Sequence, residues 1–380
     1  MTGLNPFHFG VIVSGEDFCN REAEINEIEK DIRNHQNSII YSPRRYGKSS
    51  LIFEVFRRLA GYKNIITVYV NLYSMLTERD FVDLYNRALF KALTKTPRTI
   101  LELIGRYLKS IRPKVTVKPD GGFDIGIEYM PEINEALEDI MAVSLRYAEE
   151  TGKTISIAFD EFQQIVSVQN TTLERKIRNI VQEQSGKISY IFLGSKRHVM
   201  EEMFFNPNRP FYRAAKHIPL TKIERSKMVP FIIKKFSQTG KKISKECAEH
   251  IVDTVDNHPY YIQHLCHSLW DLSGSEIDMD TIHSALSDTL SRESAVLTEI
   301  WDRLKLNQRK VMVALGLKKE KEGIYSQEVL HRYRLPPVST LQKALRSLLE
   351  QELIHKVNGD YQIEDVFFKL WIKNNYNVLR

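Results

Sequence analysis

The chain has 380 residues, of which 42% are hydrophobic and 27% are charged, as in an ordinary soluble globular protein. This length exceeds what one simple core holds, so we expect about two or three domains. No apolar run reaches the roughly 18 residues of a membrane span, no signal peptide is evident, and three scattered cysteines cannot form a full disulfide set. We therefore expect a cytoplasmic protein.

The net charge of +6 is spread unevenly along the chain. Lysine and arginine cluster at residues 109–114, 225–236 and 316–323. Such clusters permit contact with nucleic acid, although they are more often the solvated faces of helices.

Five short apolar runs, rich in β-branched and aromatic residues, predict buried strands. They are residues 38–41, 65–70, 154–159, 188–193 and 216–220. Helical periodicity lies between most of them, at residues 22–33, 49–59 and 173–183 for example. This alternation predicts an α/β fold whose parallel sheet binds its ligands at the carboxyl ends of the strands.

Residues 113–130 interrupt this alternation. Two alternating runs flank Pro119-Asp120-Gly121-Gly122, which predicts a β-hairpin inside a helical insertion. The hairpin is either a contact element for a partner or DNA, or a structural flap.

After Leu220 the predicted strands stop. Residues 221–290 are expected to be helical, with Pro230 near the start of one helix and Asn257-His258-Pro259 between two others. Beyond them we predict helices at 301–315 and 327–334, a third from Pro336 to Leu353, and a hairpin at 354–363 around Asn358-Gly359-Asp360. Three helices and a hairpin of this size indicate a winged helix.

The segment YSPRRYGKSS, residues 41–50, has the Gly-Lys-Ser ending of a phosphate-binding loop (P-loop) between a strand and a helix. Gly47 allows close approach of the backbone to phosphate, Lys48 supplies positive charge, and the Ser49 hydroxyl can bind Mg²⁺. Ser42 replaces the usual opening glycine, and we expect it to be tolerated because serine adopts many turn conformations. The predicted ATP-binding residues of this loop are Ser42, Pro43, Arg44, Arg45, Tyr46, Gly47, Lys48, Ser49 and Ser50.

The strand at 154–159 leads into Asp160 and Glu161. In a P-loop enzyme the first acid helps to hold Mg²⁺ and the second orients or deprotonates the attacking water. An Asp-Glu pair after a strand can also be a helix cap, but its order after the P-loop favours the catalytic interpretation.

Polar residues after the next strands complete the predicted site. Ser195 is our choice for sensing the γ-phosphate or fixing the water, and Lys196 is the alternative. Arg209 and Arg213 precede the fifth strand, where an arginine could act across a subunit boundary, although a surface salt bridge is equally consistent with either.

Together these segments resemble the archaeal-type ATPase family of the AAA+/STAND group of P-loop proteins, relatives of the origin-recognition initiators. The shared motifs are NPF and FxxRE near the N-terminus, the P-loop, AFDEF, RPFYRAA, the lid motif DNHPYYIQHLC and the terminal YQIEDVFFKLWIKNN. The resemblance implies that Phe18 and Arg21 lie near the adenine and that Pro259 packs near the base, although Asn257 replaces the family's glycine. It implies an ATPase core at 1–220, a helical lid at 221–295 and a winged helix at 296–380.

The predicted recognition helix of the winged helix has an apolar face and an opposite polar face. The apolar face comprises Val338, Leu341, Leu345, Leu348 and Leu349; the polar face comprises Ser339, Gln342, Lys343 and Arg346. The polar face could contact double-stranded DNA, but winged helices also bind proteins. The aromatic residues Phe367, Phe368 and Trp371 are expected in the core.

Two functions follow from these motifs. The first is an ATPase switch that uses ATP and Mg²⁺ and repositions the lid and winged helix, possible partners being DNA, a protein or a second copy of the chain. The alternative is a nucleotide-locked DNA-binding or protein-interaction module with little turnover, in regulation, defence or a mobile element. Glu161 favours the first, because a pure binder needs no placed base.

Overall fold

The computed structural model describes residues 4–93, 103, 106, 111–117, 123–129, 133–168, 171–319, 322–357 and 359–376. The chain divides into two compact units. One is Ile12–Thr221, and the other combines Met1–Val11 with Lys222–Arg380. No helix among the described residues is long and apolar enough to cross a bilayer.

The Ile12–Thr221 unit is an α/β fold. Its strands are β1 (Ser38–Tyr41), β2 (Ile65–Asn71), β3 (Ile111–Val117), β4 (Phe123–Tyr129), β5 (Thr154–Asp160), β6 (Ile188–Gly194) and β7 (Lys216–His217). Its described helices are α1 (Glu22–Arg33), α2 (Lys48–Leu59), α3 (Glu78–Leu93), α4 (Ile133–Thr151), α5 (Gln164–Ser167), α6 (Thr171–Glu183) and α7 (Arg197–Phe205).

Five strands form one parallel sheet in the order β2-β5-β6-β1-β7. This confirms the predicted five-stranded parallel fold. The fifth strand is shorter than the predicted 216–220, because after His217 only the bond from Ile218 N to Ile39 O (3.0 Å) continues the ladder.

Alternate residues of the central strands point into two separate cores. On β1, Ile39 belongs to the core beneath α3, α4 and α6, whereas Ile40 belongs to the core beneath α1 and α2. The same alternation separates Phe192 from Leu193 on β6. Helices therefore cover both faces of the sheet, and the carboxyl edge of the strands is where functional side chains gather.

The predicted hairpin insertion is confirmed by an antiparallel pair, β3 and β4, that runs from the pair Ile111↔Tyr129 to the pair Val117↔Phe123. It starts two residues before the predicted 113–130. The predicted turn, Pro119-Asp120-Gly121-Gly122, lies outside the described residues.

The second unit is mostly helical. Its described helices are α8 (Arg225–Gln238), α9 (Lys245–Thr254), α10 (Pro259–Leu272), α11 (Met279–Arg303), α12 (Leu306–Leu317), α13 (Gln327–Arg332), α14 (Val338–Glu350) and α15 (Val366–Tyr376). Its strands are β8 (Lys242–Ile243), β9 (Glu276–Ile277), β10 (Ile354–Val357) and β11 (Asp360–Ile363).

Three predictions for this unit were wrong in detail. Strands do not stop at Leu220, since β8 and β9 form a two-residue parallel pair. Pro230 lies inside α8 rather than at its start. The helix predicted at 301–315 is two helices, because Leu304 and Lys305 adopt extended conformations and the Gln308 side chain accepts the Lys305 N–H at 2.8 Å.

The winged-helix region has a core of its own, built from α11–α15, β10 and β11. The hairpin β10–β11 is antiparallel as predicted. Phe368 is buried in this core and Trp371 packs against it. Phe367 is buried instead against Tyr261 and His264 of α10, with ring centroids 4.7 and 5.2 Å away, so all three aromatic residues are structural. Helix α11 runs unbroken through residue 295, so the boundary between lid and winged helix stays a prediction.

The N-terminal segment belongs to this second unit and packs on α10. The Asn5 amide donates to the carbonyl of His267 at 3.1 Å and to Asp271 Oδ1 at 2.8 Å. Phe7 is fully buried against Phe236, with ring centroids 4.6 Å apart. The Asn-Pro-Phe motif therefore has a packing role within this unit.

Candidate nucleotide-binding site

The P-loop occupies residues 42–47 between β1 and α2. Gly47 caps α2 with φ +86°, a left-handed conformation that favours glycine. Helix α2 begins at Lys48, one residue before the predicted start. Its first amide groups therefore face the loop, and a helix N-terminus favours bound phosphate.

Ser42 and Lys48 are in contact inside the loop. The buried Lys48 ammonium donates to the carbonyls of Ser42 at 2.9 Å and Pro43 at 3.1 Å. Ser42 is not one of the described residues with positive φ, so its backbone needs no glycine. Its hydroxyl donates to the Pro43 carbonyl at 3.3 Å, and the substitution leaves the loop intact.

The other predicted loop residues differ in their exposure and contacts. Arg44 and Arg45 are exposed, and Arg45 has φ +66°. Tyr46 is half-buried against the α1/α2 core. The Ser50 hydroxyl accepts the N–H of Val13 at 3.2 Å, so Ser50 ties helix α2 to the segment of chain that precedes Phe18.

Ser49 and Asp160 meet across the loop. The Ser49 hydroxyl donates to Asp160 Oδ2 at 2.6 Å. The Tyr69 hydroxyl donates to the same oxygen, and burial followed by the neighbouring Asp160 charge raises the pKa of Tyr69. The two residues predicted to bind metal are therefore brought together, with Tyr69 as an additional partner of the carboxylate.

Glu161 and Ser195 form the second pair at this edge. The Ser195 hydroxyl donates to Glu161 Oε2 at 2.7 Å, and Gln163 Nε2 donates to the same oxygen. Lys196, the alternative to Ser195, caps α7. The pairing arises because β6 lies between β5 and β1, which places the ends of all three strands side by side.

Phe18 and Arg21 lie before α1, in the same unit as the P-loop. Arg21 has φ +79°, is buried, forms an ion pair with Glu24 at 3.0 Å and reaches the Tyr46 carbonyl at 3.5 Å. Burial lowers the pKa of this guanidinium. Phe18 is half-buried against the α1/α2 core. Arg21 thus borders the loop, and Phe18 packs against the same core as Tyr46 of the loop.

A buried carboxylate, Glu54, ties helix α2 to the segment before Phe18. It accepts the N–H of Gly15 at 2.8 Å and hydrogen bonds from Arg57 and Arg58. The bond from Arg57, with those from Gly15 and Arg58, lowers the pKa of Glu54 to about 2, against an opposing effect of burial.

This pKa shift predicts a pH-dependent contribution to stability. Because the folded-state pKa is below the ordinary 4.5, the Glu54 charge stabilises the fold above about pH 4.5, and this stabilisation is lost as pH falls towards about 2. We expect the unfolding free-energy difference between wild type and Glu54→Gln to shrink by up to about 1.4 kcal/mol per pH unit in that window.

Urea unfolding at several pH values measures this difference. Glu183→Gln, an exposed change in the same unit, is the control and should give no such trend. A wild-type minus Glu54→Gln difference that is constant from pH 5 to pH 2.5 would contradict the assignment.

The two candidate arginines lie in different surroundings. Arg209 forms an ion pair with Glu174 at 2.7 Å, and burial raises the pKa of Glu174 even beside this arginine. Arg213 is exposed, has φ +52°, and its guanidinium lies 5.1 Å from the Tyr212 ring centroid. The salt-bridge interpretation thus describes Arg209, whereas Arg213 is exposed; a role for Arg213 across a subunit boundary stays a prediction.

In the second unit, Pro259 is the first residue of α10. Asn257, which stands in place of the family's glycine, has φ +52° and donates through its amide to the Ile223 carbonyl at 2.7 Å. Asparagine tolerates this left-handed conformation, so the backbone turn before Pro259 survives the replacement.

On α14 the predicted polar face is exposed. Its members are Ser339, Gln342, Lys343 and Arg346. Leu341, Leu345 and Leu348 are buried as predicted, but Val338 at the helix start is 47% exposed, because the first helical turn extends past the core. Arg346 forms an exposed ion pair with Glu350 at 3.0 Å.

Sequence reasoning missed Tyr69, Gln163 and Glu54. Tyr69 is a polar side chain two residues before the end of β2, on a strand that pairs with β5. Gln163 follows Glu161 by two residues. Strand order identifies Asp160 as the partner of Tyr69, whereas Gln163 bonds Glu161 within one turn and Glu54 accepts bonds from Arg57 and Arg58 on its own helix.

Comparison with known proteins shows that two parts of the chain match described protein families. Residues 18–265 match the family described as "ATPase domain predominantly from Archaea", and residues 295–374 match one described as "Probable winged helix domain". No curated protein matches the chain.

Solved structures share the fold at low identity. A Walker-type ATPase of Pyrococcus abyssi is 16% identical with a TM-score of 0.67, covering 97% of this chain and 99% of that one. The Aeropyrum pernix ORC2 protein, solved as ADPNP-ADP complexes, is 12% identical with a TM-score of 0.58, covering 94% and 93%. The Aeropyrum pernix ORC1 protein in complex with DNA is 13% identical with a TM-score of 0.51, covering 96% and 94%. Because the ATPase match spans well over half of the 380 residues, the chain belongs to the family of ATPase domains found predominantly in Archaea, and it is an ATPase.

Proposed function

We propose that this ATPase is a Mg²⁺-dependent switch whose nucleotide state sets the position of the lid and winged helix, and that it acts on double-stranded DNA. The observation that carries the proposal is the pair of contacts at the carboxyl edge of the sheet, Ser49 with Asp160 and Glu161 with Ser195.

The residues fit ATP and Mg²⁺. A serine hydroxyl and a carboxylate 2.6 Å apart are hard oxygen donors of the kind that Mg²⁺ prefers. Bound there, the metal ion would neutralise phosphate charge. Lys48, which now donates to loop carbonyls, would donate to phosphate oxygens, and Ser42 to Ser50 would enclose them.

Glu161 is proposed to prepare the attacking water. Both donors bind its Oε2 atom, and no described residue donates to Oε1. A water on Oε1 can therefore pass its proton to the carboxylate as it attacks. Ser195 holds the carboxylate, and Arg213 is proposed to stabilise transition-state charge in a neighbouring copy.

The polar face of α14 supports DNA as the partner. Lys343 and Arg346 are exposed cations one helical turn apart, and a helix of this kind fits the major groove. The solved ORC1 protein of similar fold is in complex with DNA. Location in the cytoplasm and the division into lid and winged helix stay part of the proposal.

We expect Lys343→Ala/Arg346→Ala to weaken binding of double-stranded DNA about tenfold at moderate salt and to reduce the salt slope by about two. The matched control is Arg292→Ala/Arg303→Ala, which removes two exposed cations of α11 that also form local ion pairs. ATP hydrolysis is measured for each protein with and without DNA, alongside DNA binding at two salt concentrations.

The outcomes separate the two candidate functions. Hydrolysis that rises with DNA in wild type and control, but not in Lys343→Ala/Arg346→Ala, supports a DNA-coupled switch. Equal DNA binding by all three proteins would contradict the assignment of this face. ATP binding with no measurable turnover under any condition would favour the nucleotide-locked module.

A further inference from the structure

Gln163 is a buried amide beside the proposed catalytic carboxylate. It lies in the turn between β5 and α5, and its side chain is almost completely buried. The Phe162 N–H donates to the Leu193 carbonyl at 2.8 Å, which fixes this turn against the end of β6. Gln163 therefore occupies a rigid position next to Glu161 and Ser195.

Only the NH₂ group of the Gln163 side chain makes hydrogen bonds with described residues. Its Nε2 atom donates to Glu161 Oε2 and lies 3.5 Å from Ser195 Oγ. Its Oε1 atom is buried and accepts no hydrogen bond from any described residue. A buried acceptor without a partner destabilises a fold, so an amide present only for stability would not be expected in this arrangement.

The orientation of the amide is determined by its neighbour. Turning the amide over would place Oε1 against a carboxylate oxygen, and two acceptors repel each other. The Nε2 group must therefore face Glu161, which leaves Oε1 pointing towards β6.

Gly194, the last residue of β6, makes room for this amide. A Cβ atom at residue 194 would lie 2.8 Å from Gln163 Oε1 and 2.4 Å from Met200 Cγ. Glycine at this position thus leaves room for the side chains of both Met200 and Gln163.

We propose that Gln163 is a positioning residue for ATP hydrolysis, which holds Glu161 by its Oε2 atom so that Oε1 faces the attacking water. This inference rests on the proposed role of Glu161. Ser195 and Gln163 fix one oxygen from two directions, which removes rotational freedom from the carboxylate before the reaction. The φ of +54° at Glu161 shows that the same turn already holds its backbone in an uncommon conformation.

The test replaces Gln163 by methionine, which has a similar length and no donor. We expect kcat for ATP hydrolysis to fall about tenfold or more, with KM and the Kd for ATP unchanged. We also expect an unfolding temperature equal to or above that of wild type, because the unpartnered oxygen is removed. Gln164→Met is the matched control and should affect neither quantity, because the only described hydrogen bond of the Gln164 side chain is the one it accepts from the Ser167 hydroxyl, and its backbone bond to the Glu161 carbonyl does not depend on the side chain.

Testing the same substitution in a Glu161→Gln protein distinguishes a positioning role from a general loss of structure. If Gln163 acts through Glu161, Gln163→Met should lower single-turnover hydrolysis no further in a Glu161→Gln protein. A similar loss in both backgrounds, a lower unfolding temperature with weaker ATP binding, or a kcat within twofold of wild type would each overturn the proposal. If Gln163→Met does not fold, Gln163→Leu, which also lacks a donor, takes its place, and retained ATP affinity with reduced kcat is again expected.

Failure of the proposed role of Glu161 can be distinguished from failure of the proposed role of Gln163. Normal turnover by Glu161→Gln would remove the proposed role of Glu161 itself. Slow turnover by Glu161→Gln together with normal turnover by Gln163→Met would remove only the role of Gln163.

Discussion

Replacing Lys48 by methionine is expected to weaken ATP binding at least a hundredfold. The ammonium is buried and donates to two carbonyls of the P-loop, so it is held at the centre of the loop before nucleotide arrives. Methionine fills most of the same volume but supplies no charge or donor. Hydrogen bonds from a charged group contribute about 1.5–3 kcal/mol each, and Lys48 is expected to make more than one to phosphate.

Calorimetric titration with ATP measures this loss. Lys63→Met, an exposed change in the same unit, is the control and should bind ATP normally. The unfolding temperature without nucleotide shows whether the variant is folded. A folded Lys48→Met protein with wild-type affinity for ATP would show that the nucleotide binds elsewhere.

Local sequence patterns predicted most of the sheet, because the limits of each strand are marked by the residues next to it in the sequence. Ser38–Tyr41 is wholly buried, and the turn that follows begins with Ser42-Pro43, so its limits are visible in the sequence. The P-loop is equally local, since Gly47, Lys48 and Ser49 are consecutive. Neither prediction needs knowledge of distant residues.

Contacts between distant residues could not be predicted in this way. Tyr69 reaches Asp160 because β2 is the sheet neighbour of β5, and Ser195 reaches Glu161 because β6 is the other neighbour. Strand order is a property of the whole sheet. Sequence patterns therefore offered Ser195 and Lys196 as alternatives but could not show which of them contacts Glu161.

The error at residues 301–315 has a different origin. The break between α11 and α12 contains no glycine or proline, and Leu304 is itself buried in the core. Helical periodicity therefore continues through Leu304 and Lys305, and tertiary packing overrides it.

Replacing Glu161 by glutamine is expected to preserve ATP binding while lowering kcat by about a hundredfold or more, the usual contribution of a general base being roughly 10²–10⁴. Glutamine is nearly the same shape, and its carbonyl oxygen can still accept the hydrogen bond from Ser195. Its other end is an NH₂ group, which cannot accept a proton from water. The variant thus changes proton transfer and leaves the surrounding contacts in place.

Asp160→Asn is the informative companion to this variant. Asp160 accepts from Ser49 and Tyr69 on its Oδ2 atom, so its charge is proposed to serve the metal ion rather than the water. We expect Asp160→Asn to raise the Mg²⁺ concentration needed for half-maximal hydrolysis, whereas Glu161→Gln should leave that concentration unchanged. Single-turnover hydrolysis over a Mg²⁺ titration measures both quantities. If Glu161→Gln hydrolyses ATP at the wild-type rate, the base must be another group, and the contact between Ser195 and Glu161 would then be a structural cap of the turn after β5.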